Sequence, residues 1–395
     1  MKPISSAASA MTPPLVREIF NGIIGMDDVV SFIVGEPDFP TPPHVLDAAV
    51  AALASGQVRY TDNSGILPLR QAVAREFRRF DGVDYDPATE IMVTNGAMEG
   101  VFLTLSALVD PGDEVLVADP SYTNYEGTIG LTRAATVPVP TRAETGFAFE
   151  EGPLRAAITD RSKVILINSP ANPTGSTSSR ATLEMIARVA IDNDLYVLFD
   201  EVYKHLIYGG EEFFNIARLP GMRERTFCVD SVSKTYAMTG WRIGYILGPA
   251  EVIRYMPAMQ ELMLSCVNAT AQVAATVALD GDQSGVAVMR AGYVARRDLM
   301  VGLIDGIDGL SCRTPEGAFY IFMNIEATGL SSQEFAMRLL AEQRVAVAPG
   351  VAFGSLGEGH VRLSYATDEA TIVEGMRRIA SFVGSLNDQP RELVG

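Results

Sequence analysis

The chain has 395 residues, 48% hydrophobic and 20% charged, the composition of an ordinary folded protein with room for two domains or one large domain and an appendage. Its formal net charge of -17 argues against a nucleic-acid groove or an anionic membrane as partner, although a local basic pocket for a small anion remains open. No stretch approaches the roughly 20 apolar residues of a membrane span, and Cys228, Cys266, Cys312, His44, His205 and His360 are too scattered for a metal cluster or a disulfide framework.

In chain order, the start MKPISSAASAMTPP has one lysine and no sustained apolar core, so it makes a poor signal peptide. With no CxxC present, a reducing, cytoplasmic home is expected. Disorder is expected only at the ends, residues 1–10 and 387–395. From about residue 90 to 250, short apolar runs alternate with longer helical patterns. The runs are Glu90 to Asn95, Glu114 to Pro120, Lys163 to Pro170, Tyr196 to Tyr203, Thr226 to Lys234 and Arg242 to Gly248. They lack polar/apolar alternation and read as strands buried on both faces, as in a parallel sheet covered by helices. Helices are expected at Ala97–Val109, Tyr122–Leu131 and Ser179–Asn193. The fold class is therefore α/β, a large domain with a mostly parallel sheet.

From about residue 286 the texture changes. An amphipathic helix (Val286 to Ile304) leads to GAFYIFMNI, a helix at Gln333–Gln343, a strand at His360–Tyr365 and a last helix at Glu369–Val383. These elements read as a smaller α+β domain, and the proline-rich segment before His44 is expected to pack with it. The expected division is 44–285 for the large domain, with 1–43 and 286–395 forming the small one.

Polar residues gather where the apolar runs end: Asn95-Gly96, Asp119, Asn168 to Asn172, Asp200, and Ser231 to Lys234. In open α/β sheets ligands sit just beyond the carboxyl ends of the strands, so these ends are expected to line one site. Ser231-Val232-Ser233-Lys234 matches SxxK, but the SDN and KTG partners of that acylation motif are absent, as are GxGxxG, GxxxxGK[ST] and HExxH. A lysine at a buried strand end is instead suited to attack a carbonyl, because desolvation lowers its pKa. Ser231 and Arg242 beside it suit a phosphate.

The other segments carry two readings each. Asn168 to Gly175 is either plain turn chemistry or part of the site. Asp200, at the end of an apolar run, needs a cation or a strong donor: a core arginine on one reading, a protonated ring nitrogen on the other, with Tyr203 then reaching the same ring. Thr94 to Met98 is either a tight packed turn or a helix start whose free amides welcome an anion.

Together GEPDFPTP (35–42), YTDNSGILPLR (60–70), TNGAMEG (94–100), ANPTG (171–175), DEVY (200–203), SVSKTYAMTGWRIGY (231–245), GAFY (317–320) and VRLSYA (361–366) resemble the class I/II aminotransferases, the fold-type I pyridoxal-phosphate enzymes, over nearly the whole chain. The resemblance implies pyridoxal 5'-phosphate as cofactor and amino transfer from an α-amino acid to a 2-oxo acid in a ping-pong cycle. It makes Lys234 the Schiff-base lysine and proton carrier, Asp200 the partner of the ring nitrogen, and Tyr203 and Asn172 donors to the ring hydroxyl. It makes Tyr122 the stacking aromatic, and Gly96, Ala97, Ser231 and Arg242 the phosphate cup, with Met98 and Ser233 in the same cofactor-binding set. Arg362 is implied to grip the substrate carboxylate, with Asn172 and the backbone of Gly35 beside it. Tyr60 is implied to reach the phosphate of a neighbouring subunit, hence a homodimer with shared sites.

Met98 stands where some acidic-substrate relatives carry a basic residue, and otherwise reads as helix packing. With Tyr122 and Phe353 it is expected to make the pocket partly apolar, which points to a neutral or aromatic donor with 2-oxoglutarate or pyruvate as acceptor. The same scaffold also serves β-lyases, decarboxylases, cyclases and oxidases. A cofactor-binding regulator would need a basic DNA-binding footprint that this chain lacks.

Overall fold

The computed structural model describes residues 2–5, 8–9, 15–56, 58–210 and 212–387; of the ends expected to be disordered, residues 1, 6, 7, 10 and 388–395 lie outside the described residues. The strands of the first half, in chain order, are β1 (Val30–Ser31), β2 (Ile91–Thr94), β3 (Glu114–Asp119), β4 (Ala135–Pro140), β5 (Ser162–Asn168) and β6 (Tyr196–Asp200). Those of the second half are β7 (Thr226–Ser231), β8 (Gly244–Leu247), β9 (Ser311–Cys312), β10 (Tyr320–Asn324), β11 (Val345–Ala346), β12 (Ala348–Pro349) and β13 (His360–Ser364).

Seven of these make one sheet in the order β2-β8-β7-β6-β5-β3-β4. Its pairs are parallel except those of β8, which runs antiparallel to both β2 and β7. The run Arg242 to Gly248 therefore departs from the expected parallel pattern. Between β7 and β8 the chain makes only the short helix Val232–Thr235 and a 3₁₀ turn at Thr239–Trp241, with no covering helix to carry a crossover, so it returns beside β7 in the opposite direction. Strand β4 escapes a reading by apolar runs because Pro138 and Pro140 interrupt it. It lies at the sheet edge, where a missing ladder donor is tolerated.

The burial follows the two-residue period of a strand. Val164 and Leu166 of β5 pack with Val101, Leu105 and Ile246 on one face, while Ile165 and Ile167 pack with Leu183 and Ile186 on the other. Each such side chain contributes roughly 1.5–3 kcal/mol. The helices Ala97–Leu108 and Arg180–Asp192 cover these faces. Gly100 lets the first of them approach closely, because a Cβ there would lie 3.2 Å from Ile246 and Val229.

A second, antiparallel sheet has the order β12-β13-β10-β9, and β1 pairs in parallel with β11. Helices Ser284–Asp305 and Glu369–Asn387 enclose its core with Tyr293, Phe319, Phe335 and Phe382. The amphipathic helix Leu15–Ile23 buries Ile19 against Phe322, Ala348 and Phe353.

Because β2 is antiparallel to β8 and β8 to β7, the carboxyl ends of β2, β3, β5, β6 and β7 share one edge. At that edge Asp119 does not face the cleft. It accepts hydrogen bonds from Ser355 Oγ (2.9 Å) and Leu356 N (3.2 Å), and so ties β3 to the segment after β12.

Candidate active site

A cleft of about 570 Å³ opens over this edge, lined by strand ends, by Val16, Arg17, Phe20 and Ile33 to Glu36 of the N-terminal segment, and by Tyr320 and Arg362. Lys234 sits in the helix Val232–Thr235, whose start is fixed by Ser231: its Oγ accepts the Ser233 amide at 3.3 Å. Lys234 Nζ donates to the Gly35 carbonyl at 2.6 Å. Burial pushes its amine down to about 8, against the pull of Glu36 and with the help of Arg362 and Arg242.

Asp200, the last residue of β6, is 4% exposed. Burial pushes its carboxyl up to about 6, opposed by Tyr125, whose hydroxyl donates to Oδ2 at 2.6 Å, and by the Val202 amide on Oδ1 at 3.3 Å. Its partner within the chain is thus a tyrosine; no arginine bonds it among the described residues. Tyr203 and Tyr320 share a hydrogen bond of 2.9 Å between their hydroxyls.

Arg362, in β13, donates from Nη1 to Asn172 Oδ1 (3.0 Å) and from Nη2 to the Ile33 carbonyl (2.6 Å). Its guanidinium lies 4.6 Å from the Tyr320 ring centre, and its buried Nε has no hydrogen-bond partner. A buried donor without a partner is costly, so this nitrogen suits an incoming anion. Asn172 is held in turn by Asn168 Oδ1, which accepts its amide at 2.9 Å.

At the other end, Gly96 precedes the helix Ala97–Leu108 with φ of +81° and no side-chain cap. A Cβ on Gly96 would lie 2.0 Å from Arg242 Nη2, so only glycine lets the guanidinium reach this helix start. Arg242 is itself in a left-handed conformation, φ +57°, and donates to the Thr239 carbonyl at 2.9 Å. The helix start at Ala97, Ser231, Ser233 and Arg242 together have the chemistry that could hold a phosphate.

Ala97, Met98, Tyr122, Asn172, Asp200, Tyr203, Ser231, Ser233, Lys234, Arg242, Gly35 and Arg362 line the cleft; Gly96 borders it through Arg242. Tyr60 does not line it and is 88% exposed. Phe353, expected in the pocket wall, lies buried behind Arg362, 5.1 Å from its guanidinium, and forms no part of the lining.

A model of the family described as aminotransferase class I and II matches residues 27–379. The chain belongs to the class I and II aminotransferases. It is 41% identical to an aspartate aminotransferase of Pyrococcus abyssi over 95% of this chain and 97% of the relative. It is 39% identical to aromatic-amino-acid aminotransferase 2 of Thermococcus litoralis, with the same coverage of 95% and 97%. An arginine–pyruvate transaminase of Pseudomonas aeruginosa is 38% identical, over 92% of each chain. Among solved structures, an aspartate aminotransferase from Thermus thermophilus with maleate has a TM-score of 0.92 at 38% identity, covering 96% of this chain and all (100%) of that one.

Several lining residues of this aminotransferase escaped the reading by motifs. Tyr125, in the first turn of the helix Asn124–Leu131, lies beside Tyr122, which precedes that helix, their rings 5.4 Å apart; a helix expected from Tyr122 onward puts residues three apart side by side. That spacing was a usable signal. Val16, Arg17 and Phe20 reach the cleft from an ordinary amphipathic helix that carries none.

Proposed function

We propose that the protein binds pyridoxal 5'-phosphate in this cleft and moves the amino group of an α-amino acid to a 2-oxo acid. The observation that carries the proposal is Lys234: an amine depressed to about 8 in the same cleft as the buried Asp200, the phosphate cradle and Arg362. When bound, pyridoxal phosphate supplies an aldehyde that condenses with amines and a protonated ring that accepts the electrons left on Cα.

The chain's own residues do the rest. The cradle of Ala97, Ser231, Ser233 and Arg242 would take the phosphate, and Gly96 leaves the space for the Arg242 guanidinium. Asp200 would keep the ring nitrogen protonated, Tyr203 and Asn172 would hold the ring hydroxyl, and Tyr122 would stand against the ring. Lys234 would be the residue that links to the cofactor at rest and, once freed, its Nζ would be placed to carry the proton at the substrate Cα as general base and acid. Arg362 and Asn172 hold the α-carboxylate and so orient the Cα–H bond.

Met98, Val16, Phe20 and Tyr122 give the cleft an apolar side, which supports a neutral or aromatic donor, with 2-oxoglutarate or pyruvate as acceptor. Residues 44–285 act as the cofactor-binding body, and 1–43 with 286–395 as a smaller domain over it. The exposure of Tyr60, together with exposed Leu46, Val50 and Leu53, supports a homodimer in which Tyr60 serves the second site. Three free thiols fit work in the cytoplasm.

The test is the visible spectrum of the purified protein during single additions from an amino-acid panel. An amino acid should change the cofactor band and release its 2-oxo acid in stoichiometric amount, and a second 2-oxo acid should restore the band. Release of ammonia or carbon dioxide instead would move the protein to another reaction of the scaffold, and a protein that takes up no cofactor would end the proposal.

The Tyr125 hydroxyl gives a second check. It stabilises ionised Asp200, so Tyr125→Phe should raise the Asp200 pKa above about 6. A hydrogen bond to a charged group is worth roughly 1.5–3 kcal/mol, which corresponds to about one to two pKa units. The acid limb of the kcat/KM profile should move to higher pH by about that amount, with little change on the alkaline side.

A further inference from the structure

Behind the cleft, on the opposite side of the strand ends, lies a charge cluster that the proposed reaction does not use. Lys204, fully buried, donates from Nζ to Asp81 Oδ2 (2.8 Å), Glu76 Oε2 (3.1 Å) and Glu201 Oε1 (3.2 Å), and meets Asp230 Oδ2 at 3.2 Å. All four carboxylates are buried, and the ammonium also lies 3.6 Å above the Phe77 ring. Taking one cation and four carboxylates out of water is costly, and a fold keeps such a group only where its geometry is well satisfied. Here Asn215 Nδ2 adds donors to Asp81 (3.2 Å) and Glu201 (2.9 Å), and Tyr245 donates to Asp230 at 3.1 Å.

The placement ties this cluster to the cleft. Successive strand residues point to opposite faces. Asp200 pairs with Val229, so Asp200 and Ser231 share the cleft face while their neighbours Glu201 and Asp230 point behind, to Lys204. Asp230 Oδ1 also accepts the Ser231 amide at 2.6 Å, and Ser231 in turn starts the helix that holds Lys234.

We propose that Lys204 is a positioning residue, whose buried cation locks the ends of β6 and β7 together so that Asp200 and the Ser231–Lys234 turn meet the cofactor in register. The inference rests on the proposed use of pyridoxal phosphate. Glu76, on the helix Leu67–Phe80, and Asp81, the residue that caps its C-terminal end, anchor the cation from outside the sheet. The cluster thereby fixes two neighbouring strand ends against a third element.

The experiment measures pyridoxal phosphate affinity by the fluorescence of Trp241, the only tryptophan, and Tm by circular dichroism. It compares the full-length wild type with Lys204→Met, Asp230→Asn and the double variant. Lys204→Met should lower Tm and weaken cofactor binding about tenfold. The double variant should regain part of the Tm, because an uncompensated carboxylate is gone, while its affinity stays weak. A purely structural lysine would behave otherwise, with affinity returning alongside Tm, and that result overturns the assignment. So does affinity within threefold of wild type in folded Lys204→Met. If that variant does not fold, Asp230→Asn decides: binding threefold or more weaker supports the clamp, and unchanged binding overturns it. A wild type that binds no pyridoxal phosphate removes the functional proposal and this inference together, whereas tight binding by every protein removes the Lys204 assignment alone.

Discussion

Replacing Lys234 by alanine is expected to slow amino transfer by roughly 10²- to 10⁴-fold through the loss of proton transfer alone, and further through loss of the link to the cofactor. The same substitution should make the cofactor-free protein more stable at neutral pH. The Lys234 amine falls from its ordinary 10.5 to about 8 because folding desolvates it. Below pH 8 the amine is charged in both states and the folded state carries the penalty. Between about 8 and 10.5 the unfolded chain binds the proton and the folded chain does not, so stability rises with pH across that window. At about 1.4 kcal/mol per unit, discounted for partial solvent access, alanine should add roughly 1–3 kcal/mol at pH 7. Urea melts at pH 7 and pH 10 should show that gain shrinking as the wild type recovers. Uptake of pyridoxal phosphate by wild type, followed by absorbance, should quicken through about pH 8 and then level.

The second large effect falls on Arg362. Its guanidinium serves Asn172, the Ile33 carbonyl and an open Nε, an arrangement that a lysine cannot copy with one point charge. Breaking a buried, hydrogen-bonded charge contact costs about 2–5 kcal/mol, so Arg362→Lys should lower kcat/KM for amino acids by about 10²- to 10³-fold. Amines that lack the α-carboxylate should lose far less. The ratio of the two rates is the informative quantity: a uniform loss would mean that Arg362 supports the fold and does not read the carboxylate.

Residues whose chemistry conflicts with their surroundings were legible in the sequence. Lys234, Asp200 and Asn172 stood out because polar groups closed apolar runs, and Arg362 because of the motif around it. Properties that depend on distant chain segments were not legible. The direction of β8 is set by what happens between Val232 and Ile243, where the helix that would allow a parallel return is missing. Strand β4 hides behind its prolines. Lys204 looks like a surface lysine in DEVYKH until Glu76 and Asp81 arrive from another part of the chain. Phe353, expected in the pocket wall, packs beneath Arg362 instead.

The bond from Lys234 to Gly35 spans 199 residues of sequence, and that from Arg362 to Ile33 spans 329. A nascent chain that has just emerged as far as Leu247 holds every strand of the seven-stranded sheet, yet β13, which carries Arg362, has not been synthesised. Contacts of such long range close late in folding. The cleft residues at the strand ends can therefore be in place while the Arg362 side of the cleft is still missing. On the proposed reading of Arg362, selectivity is the last property that ribosomal synthesis completes, and a chain truncated before residue 362 would lack the means to choose an amino acid.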